Sequence, residues 1–150
     1  MAKLGYSYKP NENEKIAKAQ QHDVDASYKD LSEVCMNIKG RETSGAIKLL
    51  EKVSRGEAPI PFKKFSKHLG HRRELGGRKG RYPKKSAKIV LQVLRNAIAN
   101  AQHKGLGNKL VVKHASANKQ NIYPRLAPKG RQVRSNYETS RVEIVLQEVV

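Results

Sequence analysis

Cations without nearby counter-charges are the residues of this chain with chemistry to do. From Lys113 to Tyr137 there are six of them, Lys113, Lys119, Arg125, Lys129, Arg131 and Arg134, and no Asp or Glu. A second cluster runs from Phe62 to Lys88, with eleven Lys or Arg against Glu74 alone. It comprises Lys63, Lys64, Lys67, Arg72, Arg73, Arg78, Lys79, Arg81, Lys84, Lys85 and Lys88, with His68 and His71 among them. Neither segment can neutralise itself, so both offer ion pairing and hydrogen bonding to an external polyanion, and the abundant one is nucleic acid. Arg125, Arg131 and Arg134 can fork onto phosphates or lie flat on bases, which lysine does less well. Tyr123 and Tyr137 offer faces on which bases could stack, or they pack locally within their own segment; the sequence leaves both open. Gly70, Gly76, Gly77 and Gly80 remove side-chain bulk from the second cluster and would let its backbone approach a phosphate surface closely.

The charge balance separates function classes. The net charge over 150 residues is +18. Residues 1–61 carry 10 Lys/Arg and 9 Asp/Glu, a net of +1, whereas residues 62–150 carry 21 and 4, a net of +17. A single basic run is ordinarily a solvated face. Two runs holding most of such an excess point instead to phosphate neutralisation with counterion release, and to affinity that falls steeply with salt. No G-x-x-x-x-G-K-[S/T], H-E-x-x-H or G-x-S-x-G motif is present, so neither an enzyme nor a cofactor is expected. His68 and His71 stand at i, i+3 but read as phosphate donors rather than metal ligands, and one cysteine cannot make a Cys-rich zinc site. Cys35 falls on an apolar helix face and reads as core rather than nucleophile. A lone cysteine excludes an intramolecular disulfide and fits a reducing compartment. No apolar run approaches membrane-spanning length, and Met1–Pro10 lacks a signal-peptide core, which predicts a soluble cytoplasmic protein without membrane insertion. A DNA-binding or chromatin-like architectural protein is the alternative that charge alone supports. Such a protein would be expected to place its cations on a recognition helix; here they fall in loops, which suits irregular folded RNA.

The elements that must position these residues follow from periodicity. Leu110–His114 and Arg141–Leu146 are strand candidates that frame the acid-free segment. They make it the far part of a β-hairpin over about 109–148, too long, charged and irregular for a compact turn. Val142, Ile144 and Leu146 alternate with Glu143, Val145 and Gln147, predicting one buried and one mostly wet face; Leu110, Val112 and His114 can do the same opposite. Lys15–Asp25 alternates weakly as a first strand. Ser27-x-x-Asp30 resembles a capping box ahead of Leu31, Val34, Cys35 and Ile38 at helical spacing, and Gly40 ends that helix. Thr43 is placed to cap a second helix through Ala46, Ile47, Leu50 and Val53, stopped by Gly56 and by Pro59 and Pro61. Residues 62–83 read as a basic loop. Pro83 opens a third helix whose Ile89, Val90, Val93, Leu94, Ala97, Ile98 and Ala101 form the longest apolar stripe, ending near Gly105. The fold class is α+β: three helices on a small antiparallel sheet with a projecting hairpin, in one domain over 1–150.

Gly80–Arg81–Tyr82–Pro83 leading into Ala87–Ala101, with Asn96–Ala97–Ile98–Ala99–Asn100–Ala101, resembles the start of the third helix in a family of universal large-subunit ribosomal proteins. The family is number twenty-two, in its archaeal and eukaryotic form. Ile60–Pro61–Phe62–Lys63, Val111–Val112–Lys113–His114, Pro124–Arg125, Lys129–Gly130–Arg131 and Val142–Glu143–Ile144–Val145–Leu146 are similar to the same family, in the same order, over roughly residues 15–150. The resemblance implies three helices on a three-stranded antiparallel sheet and binding to large-subunit rRNA through Lys63, Lys64, Lys67, His68, His71, Arg72, Arg73, Arg78, Lys79, Arg81, Lys84 and Lys85 and through the cations of residues 113–134. It also implies that the hairpin lines the nascent-peptide exit tunnel near a loop of ribosomal protein four, with the globular part near the tunnel's outer opening. Tyr123, Arg125, Leu126, Lys129 and Arg131 would then form the tunnel-facing tip. Ala127 and Pro128 interrupt the denser arginine run usual in family tips.

Overall fold

The computed structural model describes residues 5–11 and 14–149. Weak alternation in Ile16–Val24 is enough for a strand, β1, which buries Ala17, Ala19 and Val24. Helix α1 (Tyr28–Ile38) buries Leu31, Val34, Cys35 and Ile38 as their spacing predicts. Ser27 stands at its N-cap and its carbonyl accepts the Leu31 N–H at 3.0 Å, but its hydroxyl makes no capping bond. The expected capping box is therefore absent. Asp30 is a methylene shorter than the glutamate of that motif and sits partly buried in the field of Arg81.

Helix α2 (Thr43–Arg55) starts one residue before the expected position. Glu42, not Thr43, is the N-cap, because a bridge to Val111 pins Glu42 in extended backbone; Thr43 is the buried first helical residue. Gly56 ends the helix at φ 86°, a left-handed cap. Helix α3 (Lys84–His103) follows Pro83 and buries Val90, Val93, Leu94, Ala97 and Ala101, with Ile89 and Ile98 partly covered.

The segment read as a basic loop contains a small sheet. Strands β2 (Ile60–Pro61), β3 (His71–Arg72) and β4 (Arg78–Arg81) pair antiparallel in the order β2-β4-β3, with a 3-10 turn at Arg73–Leu75. Gly80 belongs to this packing rather than to phosphate approach. A Cβ there would lie 2.4 Å from Leu75 Cδ1 and 2.6 Å from the Ile60 carbonyl oxygen, and the latter is backbone that cannot yield. Strands this short carry no readable alternation, which is why pattern reasoning passes over them.

The main sheet has the order β1-β6-β5, with β5 spanning Leu110–Leu126 and β6 spanning Gln132–Glu148. Helices α1 and α3 pack on one face, where Val112, Ala115, Ala117, Val142, Ile144 and Leu146 join the core. The pairing slips by one residue between Val112 and His114, so Lys113 is bulged out. A one-residue slip reverses the facing of everything beyond it, so Ala115 and Ala117 turn inward and His114 turns away from the helices.

The opposite face of the sheet is not wet, contrary to the alternation of β6. Glu143 and Val145 are both buried. Residues 5–11 lie across that side: the Ser7 amide donates to Glu143 Oε2 at 3.2 Å and its hydroxyl to Oε1, Arg141 Nη1 donates to the Gly5 carbonyl at 3.2 Å, and the Tyr8 ring lies 5.7 Å from that of His114. His114 Nε2 at 3.1 Å and Ser116 Oγ at 2.9 Å also donate to Glu143, and Arg141 Nη2 pairs with its Oε2 at 3.6 Å. A buried carboxylate with this many donors is satisfied rather than stranded.

Candidate nucleic-acid interface

Beyond Val24 the third strand is gone, and β5 and β6 continue alone. The ladder persists through Ile122↔Glu138, Tyr123↔Tyr137, Arg125↔Val133 and Leu126↔Gln132, closed by five residues, 127–131. The far part of the hairpin is thus a two-stranded ribbon with a compact turn, its register shifting between Lys119 and Ile122 and between Tyr123 and Arg125, and the expectation of a long unpaired connection is corrected. Backbone hydrogen bonds build a ladder whatever the side-chain charge, and Ile122, Tyr123, Val133 and Tyr137 supply β-favouring side chains. In the turn the Ala127 amide donates to the Arg131 carbonyl at 2.6 Å, while Lys129 and Gly130 adopt φ of 63° and 73°. From Lys119 to Leu126 the ribbon extends roughly 20–25 Å at about 3.3 Å per residue.

A polar clasp fixes where the ribbon leaves the body. Asp23, at φ 51°, sits in an irregularity of β1. Its carboxylate Oδ1 accepts Asn121 Nδ2 at 2.8 Å and Thr139 Oγ1 at 3.2 Å, and its amide donates to Gln120 Oε1 at 2.9 Å. Asp25 adds Lys85 at 2.9 Å and the Tyr137 hydroxyl; the lysine first, then the phenol, hold the Asp25 carboxyl below the usual range. Lys119 pairs with Glu138 at 2.6 Å, which pushes its ammonium up, and also lies 5.2 Å from the Tyr28 ring.

The cations expected to bind RNA therefore divide by their partners. Arg125, Lys129, Arg131 and Arg134 are exposed at the distal ribbon and, among the described residues, have no acidic partner. Lys113 is exposed on its bulge. Lys119 and Lys85 are not free, because Glu138 and Asp25 come to them from outside the two cationic segments. Arg72 is used internally: its Nε donates to the Gly80 carbonyl at 3.2 Å and its guanidinium lies 5.3 Å from the Tyr82 ring. His71 donates to the Gly77 carbonyl through Nδ1. Arg78 and Lys79 stand on β4 itself and Arg73 opens the 3-10 turn that joins β3 to it, while Lys84 crosses over Gly56. Lys63 is exposed beside a cleft of about 730 Å³ that Lys64, Lys67, His68 and Arg81 line.

Several residues of this surface gave no signal in the cation count. Lys29, Asp30 and Phe65 also line the cleft. Glu33 is fully buried in α1, and its two oxygens accept the Lys63 amide at 3.0 Å and the Phe65 amide at 2.7 Å, tying the basic segment to the helix. Phe65 could have been found, as an aromatic interleaved with Lys64 and Lys67. Glu33 could not, since its partners are thirty residues away. On the ribbon, the Tyr123 and Tyr137 rings pack together at 5.8 Å and 33°, so local packing is present, and 48% and 37% of the two residues stays exposed. Leu126 is 71% exposed at the tip.

Fold and surface together define a small basic α+β protein that presents cations from the segment 62–88 of its body and from a projecting ribbon. The model of the family described as ribosomal protein L22p/L17e matches residues 19–147, and this chain belongs to that family. It is 42% identical to the large ribosomal subunit protein uL22 of Archaeoglobus fulgidus over 151 residues, covering 98% of this chain and 97% of the relative. The proteins of the same name from Staphylothermus marinus and Methanocaldococcus jannaschii are 43% and 40% identical; the alignments cover 96% of both chains in the first case, and 99% of this chain and 97% of the relative in the second. The expected α+β class, the three helices and the three-stranded antiparallel sheet all stand in the structure.

Proposed function

We propose that this chain is a non-catalytic constituent of the large ribosomal subunit in the cytoplasm. In this reading the body grips large-subunit rRNA through residues 63–85, and the β5–β6 ribbon threads between RNA segments to line the peptide exit tunnel. The tip residues Tyr123, Arg125, Leu126, Lys129 and Arg131 would then face the tunnel near ribosomal protein four and the nascent peptide. One observation carries the reading. A two-stranded ribbon extends past the last core residue with four exposed cations and no acidic partner for them among the described residues. Such an arm gains little from its own packing and needs an external polyanion beside it. The relatives' name, large ribosomal subunit protein uL22, supports the subunit part of this reading.

The test is competition at fixed salt between folded large-subunit rRNA and duplex DNA, with an unrelated protein of equal net charge as control. Preference for the rRNA over both, together with co-sedimentation with large subunits, is expected. Equal binding of rRNA and duplex DNA would support an architectural DNA-binding protein instead.

A further inference from the structure

We propose that the cleft between the start of α1 and residues 62–69 holds a single unstacked nucleotide of a structured RNA, its base against Phe65 and its phosphate on the surrounding lysines. The inference rests on the reading of the chain as an RNA-binding protein and names what this part of the surface takes. The cleft measures about 730 Å³. That lies within the range of about 300–1,000 Å³ typical of small-ligand pockets, and a phosphate alone would leave most of it empty.

Its parts suit the two ends of a nucleotide. Phe65 is partly exposed, and its ring makes a T-shaped pair with that of Tyr28 at 5.8 Å and 85°, which fixes its plane. Lys64 and Lys29 hold ammonium groups over the Phe65 ring, 5.4 and 5.9 Å from its centre, so a base that stacks there displaces an ammonium from the ring face and leaves it beside the phosphate. Base–aromatic stacking is sequence-tolerant and is most useful beside cations that track the backbone. Among the described residues Asp30 is the one acid in the lining. Its carboxylate repels a phosphate and accepts from a base edge, so it gives the site a direction.

The site is also held before any ligand arrives. Glu33 clamps the Lys63 and Phe65 amides from below, so the ring does not depend on RNA for its position. A preformed aromatic floor lowers the ordering cost that a loose basic loop would carry on binding.

The test uses the full chain labelled with 15N and three probes: AMP, ribose 5-phosphate and inorganic phosphate. AMP is expected to shift the amides of Lys64, Phe65 and Lys67 saturably in the millimolar range, about fivefold or more tighter than ribose 5-phosphate. Phe65→Leu should erase that preference while leaving the remaining spectrum in place, and Lys64→Gln should weaken both probes alike. Equal binding of AMP and ribose 5-phosphate, shifts centred elsewhere, or no saturation by tens of millimolar would overturn the proposal. Parallel titration with folded large-subunit rRNA separates the two readings. Tight rRNA binding without AMP preference defeats the nucleotide site alone, whereas rRNA binding no better than duplex DNA defeats the parent reading.

Discussion

Replacing Glu33 by glutamine tests whether a buried carboxylate organises the basic segment. Both oxygens of Glu33 are engaged, with the Phe65 amide at 2.7 Å and the Lys63 amide at 3.0 Å. Hydrogen bonds to a charged acceptor contribute about 1.5–3 kcal/mol each, and a buried donor left facing another donor loses its solvation as well. Glutamine keeps one acceptor. Turned to keep the shorter bond to Phe65, it sets its NH2 against the Lys63 N–H. Local opening at Lys63 should then become easier by about 1.5–3 kcal/mol, so its amide should exchange roughly 10- to 150-fold faster. The Phe65 amide should change less. Amides on β6, such as Ile144, lie in a different opening unit and should keep their protection. Native-state hydrogen exchange on Glu33→Gln measures all three, and Glu33→Ala should release both loop amides together. Unchanged exchange at Lys63 and Phe65 in Glu33→Ala would refute the role given to this carboxylate.

Asp23→Ala should destabilise the chain by about 1–2 kcal/mol, through two lost hydrogen bonds and an alanine held at positive φ; denaturant melts read the stability and exchange at Asn121 reads the clasp. Asp23→Asn retains an acceptor and tolerates that backbone, so it should remain close to wild type. Arg131→Gln or Arg134→Gln should each reduce the salt slope of rRNA binding by about one, because each removes one cation that lacks an acidic partner. Lys119→Gln should reduce it less, since Glu138 already neutralises that ammonium; equal slopes for all three would count against the division of cations by partner. Burial, with a smaller push from Glu143, raises the Cys35 thiol to about 12. An unfolded chain ionises this thiol near its ordinary value while the folded chain keeps it protonated, so stability should fall as pH rises above about 9. Cys35→Ala should flatten that alkaline limb relative to wild type, and alkylation of native Cys35 at pH 8 should proceed only through unfolding.

The sequence by itself determined the helices, the class of fold and the location of the charge excess. Leu31, Val34, Cys35 and Ile38, or Val90, Val93, Leu94, Ala97 and Ala101, repeat at helical spacing, and such spacing leaves few other ways to bury those side chains. The two cationic clusters were legible as composition because charge needs no neighbour to be counted. Helix starts were less so: Thr43 has the chemistry of a cap, but pairing of Glu42 with Val111 of β5 set the boundary. Tertiary structure alone decided four further points. It extended the hairpin to Leu126 and Gln132, because a backbone ladder leaves no mark in the polarity of its side chains. It turned His114 and Glu143 into a buried polar set under residues 5–11, because a single bulge at Lys113 shifts the facing of β5 and a distant segment covers the other face. It built a sheet from residues 60–81 around the missing side chain of Gly80. And it sorted the cations, giving Lys85 and Lys119 to acids that lie sixty and nineteen residues away while leaving Arg125, Lys129, Arg131 and Arg134 without an acidic partner among the described residues. Each of these depends on which residues meet in space, and a charge or a hydrogen bond acts only on the neighbour that the fold brings to it.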